Sequence, residues 1–272
     1  MISANPYQPM LAKLTEVIEE TPTIKTFVLE PPEPYAFKAG QFAQVTVPGV
    51  GESPFTPSSD PAHPERLEFT VIRTGRVTDA LHALKPGDLV GLRGPFGAGY
   101  PIEELEDKHV LVVGGGCGLA PLRSLIYSLF GQMERIRTLS IKYGARDSRE
   151  LLYRQSYGAW ANRPHVEMAC TIDVGEPGWT GNVGVVTTLL ARIDTPVEET
   201  IAVSCGPEIM LKFVTATLLE RGFQPEQIIL SMNRRMSCGI GKCGRCNIGP
   251  YYLCRDGPDI CYAKIKDCAN VF

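Results

Sequence analysis

The chain has 272 residues, of which 44% are hydrophobic and 21% charged, and its formal net charge is −3. These values are typical of a soluble globular protein of two or three modules, and they give no electrostatic reason to expect a nucleic-acid partner. No apolar run reaches the roughly 20 residues of a membrane-spanning helix, and the N-terminus lacks the pattern of a secretory signal, so we expect a cytoplasmic protein without a transmembrane segment.

Short apolar runs separated by turn residues dominate the first hundred residues. Strands are predicted for LAKLTEVIEE, IKTFVLE, QFAQVTV, RLEFTVIR and DLVGLRGPFG. One short helix is predicted from Val77 to Leu84. Several short strands with few helices indicate an antiparallel β barrel, which we assign to residues 1–105.

Strands and helices alternate after Lys108. Strands are predicted for HVLVVGGG, TLSIKYG, VEMACTI, TIAVSCG and QIILSMN. Helices are predicted between them for LAPLRSLIYSLF, RELLYRQSY, GVVTTLLARI and EIMLKFVTATLLERG. Apolar strands alternating with helices indicate a parallel sheet covered on both faces, so residues 106–230 are assigned to an α/β domain.

The remaining residues, 231–272, read as a loop-like, basic module that contains six of the nine cysteines. Such clustering argues for a metal site rather than for a disulfide framework. Cys238, Cys243 and Cys246 follow the spacing C-x4-C-x2-C, which is that of a plant-type [2Fe–2S] cluster. Interspersed glycines allow backbone N–H groups to turn toward the sulfur atoms.

Two alternatives remain open for this cysteine loop, residues 238–254. A structural zinc site competes with the cluster, although zinc ribbons usually pair their cysteines as C-x2-C. Spacing alone also leaves three candidates for the fourth ligand, which are Cys254, Cys261 and Cys268.

Two loops of the α/β domain are candidates for binding a dinucleotide. The first contains Gly114, Gly115, Gly116 and Gly118 between a strand and a helix, where N–H groups and the helix end favour a pyrophosphate. The second, SCGPEIM, also follows a strand and has a proline at the first turn of a helix. Tight packing of glycine turns is the competing explanation.

A third loop, YGARDSRELLY, carries charges that suit a ribose. Arg146 and Arg149 are candidates to meet a ribose phosphate, whereas Asp147 is a candidate to meet bare ribose hydroxyls. An ordinary solvated loop explains the same charges.

The order of a barrel, GGGCGLAP and CGP resembles the ferredoxin–NADP reductase superfamily. Within it, CGIGKCGRCNIGPYYLCRDGP is similar to the electron-transfer subunit of dihydroorotate dehydrogenase. It is more similar still to the γ subunit of sulfhydrogenase and the NADH-binding subunit of anaerobic sulfite reductase. The resemblance implies FAD in the barrel, NAD(P)H on the α/β domain and a [2Fe–2S] cluster on the tail, with Cys254 of CRDGP as fourth ligand.

The resemblance also implies individual roles. Thr56 approaches the flavin N5, and Cys205 faces the nicotinamide; these two are the candidate catalytic residues. Ser53 stands where relatives have the arginine that holds the flavin pyrophosphate, and we hypothesise that the helix beginning near Thr78 receives it instead. The implied cofactor-binding residues are Ser53, Pro54, Phe55, Thr56, Gly75, Val77, Thr78, Gly114, Gly115, Gly116, Gly118, Pro121, Arg146, Cys205, Gly206 and Pro207.

These cofactors predict an FAD- and iron–sulfur-dependent NAD(P)H oxidoreductase subunit, because flavin converts paired into single electrons. The sequence shows no site for a terminal substrate, so we expect a partner subunit of a hydrogenase or sulfur- or sulfite-reducing complex. The expected docking face is the basic loop with Arg234, Arg235, Lys242 and Arg245. The alternatives are an electron-transfer subunit of dihydroorotate dehydrogenase, a flavin-bifurcating transhydrogenase subunit, and a zinc-binding regulatory or scaffold protein.

Overall fold

The first elements of the chain are β1 (Met10–Glu19), β2 (Ile24–Glu30), β3 (Phe42–Val47), β4 (Gly51–Phe55), β5 (Leu67–Ile72), α1 (Arg76–Ala83) and β6 (Leu89–Phe96). Strands β1 to β6 form one antiparallel sheet in the order β4-β3-β6-β1-β2-β5. The computed structural model describes residues 5–272 of the chain. Alternate side chains of these strands, among them Leu14, Phe27 and Leu92, form a buried apolar core with Leu81 of helix α1.

The second sheet begins with six parallel strands, as the alternating pattern predicts. Successive residues of its strand His109–Gly115 are buried on opposite faces, since Val110 and Val112 join one apolar cluster and Leu111 and Val113 join the other. Both faces are therefore covered. The elements are β7 (His109–Gly115), α2 (Leu119–Phe130), β8 (Thr138–Ala145), α3 (Tyr157–Ala161), β9 (Val166–Ile172), β10 (Asn182–Val183), β11 (Thr200–Cys205), α4 (Glu208–Glu220) and β12 (Ile228–Ser231).

The tail is more ordered than its loop-like sequence predicts. Its short elements are β13 (Asn247–Ile248), β14 (Tyr251–Tyr252), α5 (Leu253–Asp256), β15 (Asp259–Cys261) and α6 (Tyr262–Ile265). Strand β15 runs antiparallel beside β12 and completes a seven-stranded sheet, β10-β9-β8-β7-β11-β12-β15. The end of the chain is thus part of the second sheet.

The predicted helix over RELLYRQSY is wrong. The segment forms two 3₁₀ turns, Ser148–Glu150 and Arg154–Ser156, on either side of Tyr153, whose φ is +56°. Tertiary contacts hold Tyr153 in this left-handed conformation, because its hydroxyl donates to Thr70 in β5 at 2.5 Å and Arg123 lies 4.4 Å from its ring centroid. Likewise, the helix predicted over GVVTTLLARI is a 3₁₀ segment, Val186–Arg192.

Polar contacts fix the two sheets against each other. Arg123 in α2 forms an ion pair with Glu68 in β5 at 2.6 Å, and both side chains are largely buried. Glu150 accepts hydrogen bonds from the hydroxyls of Thr21 and Thr23. Because buried polar groups are costly to separate from their partners, these contacts favour one relative orientation of the sheets. No helix in residues 5–272 combines the length and apolar character that crossing a membrane requires.

Candidate cofactor site

The four cysteines of the cysteine loop lie together as two pairs. The thiol of Cys238 lies beside that of Cys243, and the thiol of Cys254 lies beside that of Cys246. The two pairs are close, since the Cys254 thiol lies within electrostatic reach of the Cys238 thiol. Two thiolates for each of two irons is the donor arrangement of a [2Fe–2S] cluster. In the part of the chain that the structure describes, no three His, Cys, Asp or Glu side chains, the four cysteines included, lie in a ready-made metal-binding arrangement.

The two spare cysteines of the tail lie elsewhere. Cys261, in β15, directs its sulfur toward the carbonyl oxygens of Pro225 and Glu226, at 3.6 Å from each. The sulfur of Cys268 packs against Gly249. The structure therefore places Cys254 with the other three cysteines of the loop, whereas Cys261 and Cys268 lie apart from them.

Backbone N–H groups surround the sulfur atoms because the loop turns repeatedly through left-handed glycines. Gly239, Gly241 and Gly244 have φ values of +79°, +74° and +73°. Gly241 donates its N–H to the sulfur of Cys254 at 3.1 Å, and Lys242 donates its own to the sulfur of Cys238 at 3.3 Å. Such donors stabilise thiolates and tune a bound cluster.

The pKa values of Cys238 and Cys254, one cysteine from each pair, differ because their surroundings differ. Although burial acts to raise it, N–H donors from Cys243, Ile240 and Lys242 lower the pKa of Cys238 to about 6. Burial and the adjacent Cys246 raise the pKa of Cys254 to about 12. The loop thus favours the thiolate most strongly at its first cysteine.

The cysteine loop rests on the end of the first sheet. Gln44 in β3 donates its side-chain amide to the carbonyl of Met236, just before the loop. After the loop, the carbonyl of Gly257 accepts the N–H of Ala98 at 2.7 Å. These contacts hold the four cysteines next to the module that the sequence assigns to a flavin.

The two glycine-rich loops predicted separately form one surface. Gly114 and Cys205 are paired residues at the ends of β7 and β11. A Cβ on Gly118 would lie 2.3 Å from the carbonyl oxygen of Cys205, so only glycine fits there. The Met210 side chain approaches both Gly115 and Gly206, where a Cβ would lie 2.1 and 2.6 Å from its sulfur. The loops therefore meet through backbone contacts.

Space above this surface is open. Gly116 has a φ of +53°, and no atom of the described residues lies within 4 Å of where its Cβ would be. Pro121 lies in the first turn of α2, and Pro207 is the N-cap residue that immediately precedes α4. Two helix N-termini therefore flank an open glycine turn, as a pyrophosphate site requires.

Cys205 is buried and neutral. Its side chain is 8% exposed, and burial raises its pKa to about 12. Burial also raises the pKa of Cys117, in the glycine loop, to about 11. Neither thiol is a nucleophile near neutral pH, which agrees with a site whose chemistry belongs to bound cofactors.

The predicted flavin stretch is strand β4 and the residue after it. Ser53 pairs with Val45 and Phe55 with Ala43 in β3, and Ser53, Pro54, Phe55 and Thr56 are all half-buried. The buried Arg93 in β6 does not replace the missing arginine. Its guanidinium is engaged by the Glu52 carboxylate at 2.6 and 2.9 Å and by a backbone carbonyl.

Thr78 is committed to the structure of α1. Its hydroxyl oxygen accepts the N–H groups of Thr74 and Gly75, each at 2.8 Å, and donates to the carbonyl of Gly75 at 2.9 Å. Val77 packs against Gly51, whose Cβ would lie 3.5 Å from it, so the start of α1 borders β4. Thr78 therefore shapes the helix start and has no free hydroxyl proton for a ligand.

Sequence reasoning missed Arg76, the first residue of α1. It is exposed, and no acidic partner accompanies it among residues 5–272, whereas the neighbouring Arg73 pairs with Asp79 at 2.7 Å. Arg76 precedes Val77 in the glycine-x-valine-threonine motif, at the position where any residue is tolerated. The motif therefore did not single out Arg76. The one indication in the sequence was the lack of an arginine at position 53, which calls for a cation elsewhere.

The charged loop after β8 has positive and negative side chains in different surroundings. Asp147 accepts the N–H of Arg149 at 2.9 Å and caps the 3₁₀ turn. Although burial acts to raise it, these contacts with Arg149 hold the pKa of Asp147 below its usual value. Arg146 is exposed and has no acidic partner in the described range. The loop thus offers a solvent-facing cation and a carboxylate engaged in its own turn.

Three family models match the chain in the order of its modules. The oxidoreductase FAD-binding domain matches residues 11–100, and the oxidoreductase NAD-binding domain matches residues 112–216. The iron–sulfur cluster binding domain of dihydroorotate dehydrogenase B matches residues 233–266. These matches confirm the predicted FAD, NAD and iron–sulfur modules and the fold class.

Curated relatives match over nearly the whole chain. Sulfhydrogenase 1 subunit gamma of Pyrococcus furiosus is 36% identical over 276 residues, covering 97% of this chain and 94% of the relative. The probable electron transfer subunit of dihydroorotate dehydrogenase B (NAD(+)) of Methanocaldococcus jannaschii is 37% identical over 261 residues, covering 95% and 92%.

Solved structures share the fold. An NADH-dependent reduced ferredoxin–NADP oxidoreductase studied for flavin-based electron bifurcation has a TM-score of 0.76 and 25% identity, covering 94% of this chain and 91% of that one. The cytochrome b5 reductase domain of Ulva prolifera nitrate reductase has a TM-score of 0.71 and 23% identity, covering 85% and 100%.

Proposed function

The chain belongs to the family of FAD- and NAD-binding oxidoreductases that includes sulfhydrogenase gamma subunits and the electron-transfer subunits of dihydroorotate dehydrogenase B, and from this premise we propose that it serves a hydrogenase or sulfur-reducing complex. It is an FAD- and iron–sulfur-dependent NAD(P)H oxidoreductase subunit for electron transfer. The observation that carries the proposal is the seating of a four-cysteine loop directly on the sheet of the FAD domain.

The work of this chain is to position its cofactors. Bound flavin supplies the conversion between hydride transfer and single-electron transfer. Gly114–Gly118 and Cys205–Pro207 hold the dinucleotide so that its nicotinamide lies near Cys205. Phe55, the last residue of β4, and Thr56, the next residue, would border the ring of a bound flavin, and Thr56 would supply a hydroxyl to it. No acid–base side chain is needed, which the neutral Cys205 thiol supports.

The cluster is of the [2Fe–2S] type. Cys238 and Cys243 hold one iron, and Cys246 and Cys254 hold the other. The pairing of the thiols and the C-x4-C-x2-C spacing support this assignment.

The flavin pyrophosphate lies at the start of α1. Arg76 supplies the positive charge that Ser53 lacks, and the helix N-terminus supplies backbone N–H groups. The open space at Gly75 supports this site, since no atom of the described chain lies within 4 Å of where its Cβ would be. Thr78 keeps the role of a helix cap.

The nucleotide ribose meets the loop after β8. Arg146 is the proposed contact, and a 2′-phosphate gains more from an exposed unpaired cation than bare hydroxyls do. Asp147, which caps its own turn, is the less available partner.

The partner docks on the exposed face of the cysteine loop. Arg235, Lys242 and Arg245 are exposed and lack acidic partners among the described residues, and Lys242 and Arg245 flank the exposed Cys243 in the chain. Arg234, predicted with them, is instead tied to Glu208 at 3.0 Å and to the carbonyls of Asn270 and Val271. An acidic partner surface fits the remaining three cations. We assign the assembled complex to the cytoplasm.

The docking proposal is tested with Arg245→Glu and the control Lys13→Glu, an exposed change on β1. We expect Arg245→Glu to keep NAD(P)H-dependent dye reduction and to slow reduction of the partner about tenfold at low salt. Lys13→Glu leaves both rates unchanged. Equal partner rates for the two variants would refute the docking face.

A second candidate is the electron-transfer subunit of dihydroorotate dehydrogenase, which the 37% identical relative favours. Purification of the native complex separates the two. Flavin absorption, iron and acid-labile sulfide test the cofactors, and the mass of the copurifying subunits tests the partner. A hydrogenase or sulfur-reducing subunit supports the first function, and a dihydroorotate-oxidising subunit the second. A colourless protein that holds zinc would refute both.

A further inference from the structure

Three polar side chains lie in one row across the carboxyl edge of the second sheet. Cys205 pairs with Ser231 between β11 and β12, and Ser231 pairs with Asp259 between β12 and β15. Because directly paired residues project to the same face of a sheet, their side chains lie side by side. Ser231 is close enough to hydrogen-bond Cys205, and Asp259 lies within electrostatic reach of that thiol.

Asp259 is sealed inside this row. It is 5% exposed, and a Cβ on Gly40, which follows β2, would lie 2.0 Å from its Oδ2. Tyr100, from the segment after β6, closes the other side with its buried hydroxyl. Across residues 5–272, neither carboxyl oxygen of Asp259 nor the Tyr100 hydroxyl is paired in strict hydrogen-bonding geometry, although the hydroxyls of Ser231 and Tyr100 lie close enough to the carboxyl to interact with it. Such orphaned polar groups in a packed interface call for a functional explanation.

The surroundings keep Asp259 neutral. The titratable groups that face it are Tyr100 and Cys205, and no basic side chain of the described chain lies against it. Burial raises its pKa to about 8, although the hydroxyls of Ser231 and Tyr100 act to lower it. A protonated carboxyl has an O–H donor as well as an acceptor, so it suits a position between two hydroxyls.

Asp259 also joins two modules. It follows the cysteine loop by five residues, and its segment is fixed by a hydrogen bond from the N–H of Met232 to the carbonyl of Pro258 at 3.0 Å. The segment that carries the four cysteines therefore contributes a side chain to the row that contains Cys205.

We propose that Asp259 is a positioning residue of the nicotinamide site. As a neutral acid it holds the Ser231 hydroxyl, and Ser231 in turn holds the Cys205 thiol in place. The inference rests on the proposed role of Cys205 beside the nicotinamide. When the Asp259 carboxyl loses its proton, it can no longer donate a hydrogen bond, and its negative charge repels the electron-rich sulfur of Cys205. The Cys205 side chain is then held less firmly.

The experiment compares Asp259→Asn, Asp259→Ala and the control Asp267→Asn, an exposed acid of the same module. Alkylation of Cys205 by iodoacetamide is followed in the holoprotein by mass spectrometry of the Cys205 peptide. At pH 7 we expect about tenfold faster alkylation of Cys205 in Asp259→Ala, because the variant lacks the carboxyl that holds Ser231 beside Cys205. Asp259→Asn, which keeps a neutral donor and acceptor, should stay close to wild type, as should Asp267→Asn.

The pH profile separates positioning from simple packing. Above pH 8 wild type and Asp267→Asn should be alkylated faster than Asp259→Asn, because only their Asp259 ionises. Three outcomes would overturn the inference: Asp259→Ala labelled as slowly as Asp267→Asn, Asp259→Asn labelled as fast as Asp259→Ala, or parallel pH profiles for wild type and Asp259→Asn. If Asp259→Ala does not fold, the comparison of wild type with Asp259→Asn still decides.

A kinetic arm distinguishes this inference from the function on which it rests. Where Cys205 borders the nicotinamide, Asp259→Ala raises the KM for NAD(P)H about tenfold and changes kcat less. Faster labelling of Cys205 with an unchanged KM would support the link from Asp259 to Cys205 and would refute the proposed place of Cys205.

Discussion

Gly239, in the cysteine loop, is in direct contact with the ring of Phe96 at the end of β6. A Cβ on Gly239 would lie 2.6 Å from two carbons of that ring. Phe96 is itself buried, and its ring centroid lies 5.7 Å from that of Phe42 in β3. The first turn of the cysteine loop therefore sits on an aromatic pair of the FAD domain with no side chain between them.

This contact predicts that Gly239→Ala is more damaging than Gly244→Ala. Both glycines have a left-handed φ, which costs alanine about 1 kcal/mol. Only Gly239 also meets a ring, since no atom of residues 5–272 lies within 4 Å of a Cβ on Gly244. We expect Gly239→Ala to lose a further ~1–3 kcal/mol of stability and part of its iron. Thermal unfolding and iron content measure this; equal losses in both variants would contradict it.

The grouping of the thiols predicts which cysteines hold iron. Cys254→Ser should abolish the visible spectrum of the cluster, because its thiol completes the second pair with Cys246. Cys261→Ser and Cys268→Ser should keep iron and acid-labile sulfide at wild-type levels, because their sulfurs lie against backbone and not beside the four thiols of the cysteine loop. Iron loss in Cys261→Ser with retention in Cys254→Ser would overturn the ligand assignment.

The proposed flavin site predicts different effects for two neighbouring arginines. Arg76→Ala should weaken FAD retention about tenfold, since one charge-assisted hydrogen bond is worth ~1.5–3 kcal/mol. Arg73→Ala is the matched control, because Arg73 is already paired with Asp79. Flavin loss on dialysis, followed by absorbance, gives the comparison. Equal retention in the two variants would remove Arg76 from the site.

Asp259 predicts that stability falls as pH rises from about 4 to about 8. Its folded pKa, about 8, is raised above the ordinary value of 3.8, so the folded chain keeps a proton that the unfolded chain releases. One such proton lowers the free energy of unfolding by at most ~1.4 kcal/mol per pH unit in that range. Asp259→Asn should flatten this dependence, as chemical denaturation at several pH values would show. An identical slope in the variant would place the protonation elsewhere.

The sequence by itself determined the order of the modules and the two glycine loops, and it predicted three ligands of the cysteine loop. These features depend on residues close together in the chain, whose spacing fixes their reach and whose apolar period fixes strand or helix. It also placed Ser53 at the position where the family resemblance implies an arginine for the flavin pyrophosphate.

Tertiary structure decided the rest, because strand pairing and burial join residues that are far apart in the chain. It placed Cys254 with Cys246, bent the predicted helix at Tyr153 to reach Thr70, and tied Arg234 to Glu208. It also brought Asp259 beside Ser231. Nothing local marks Asp259 as neutral; only its enclosure by Gly40 and Tyr100, away from water, makes the charged form unfavourable.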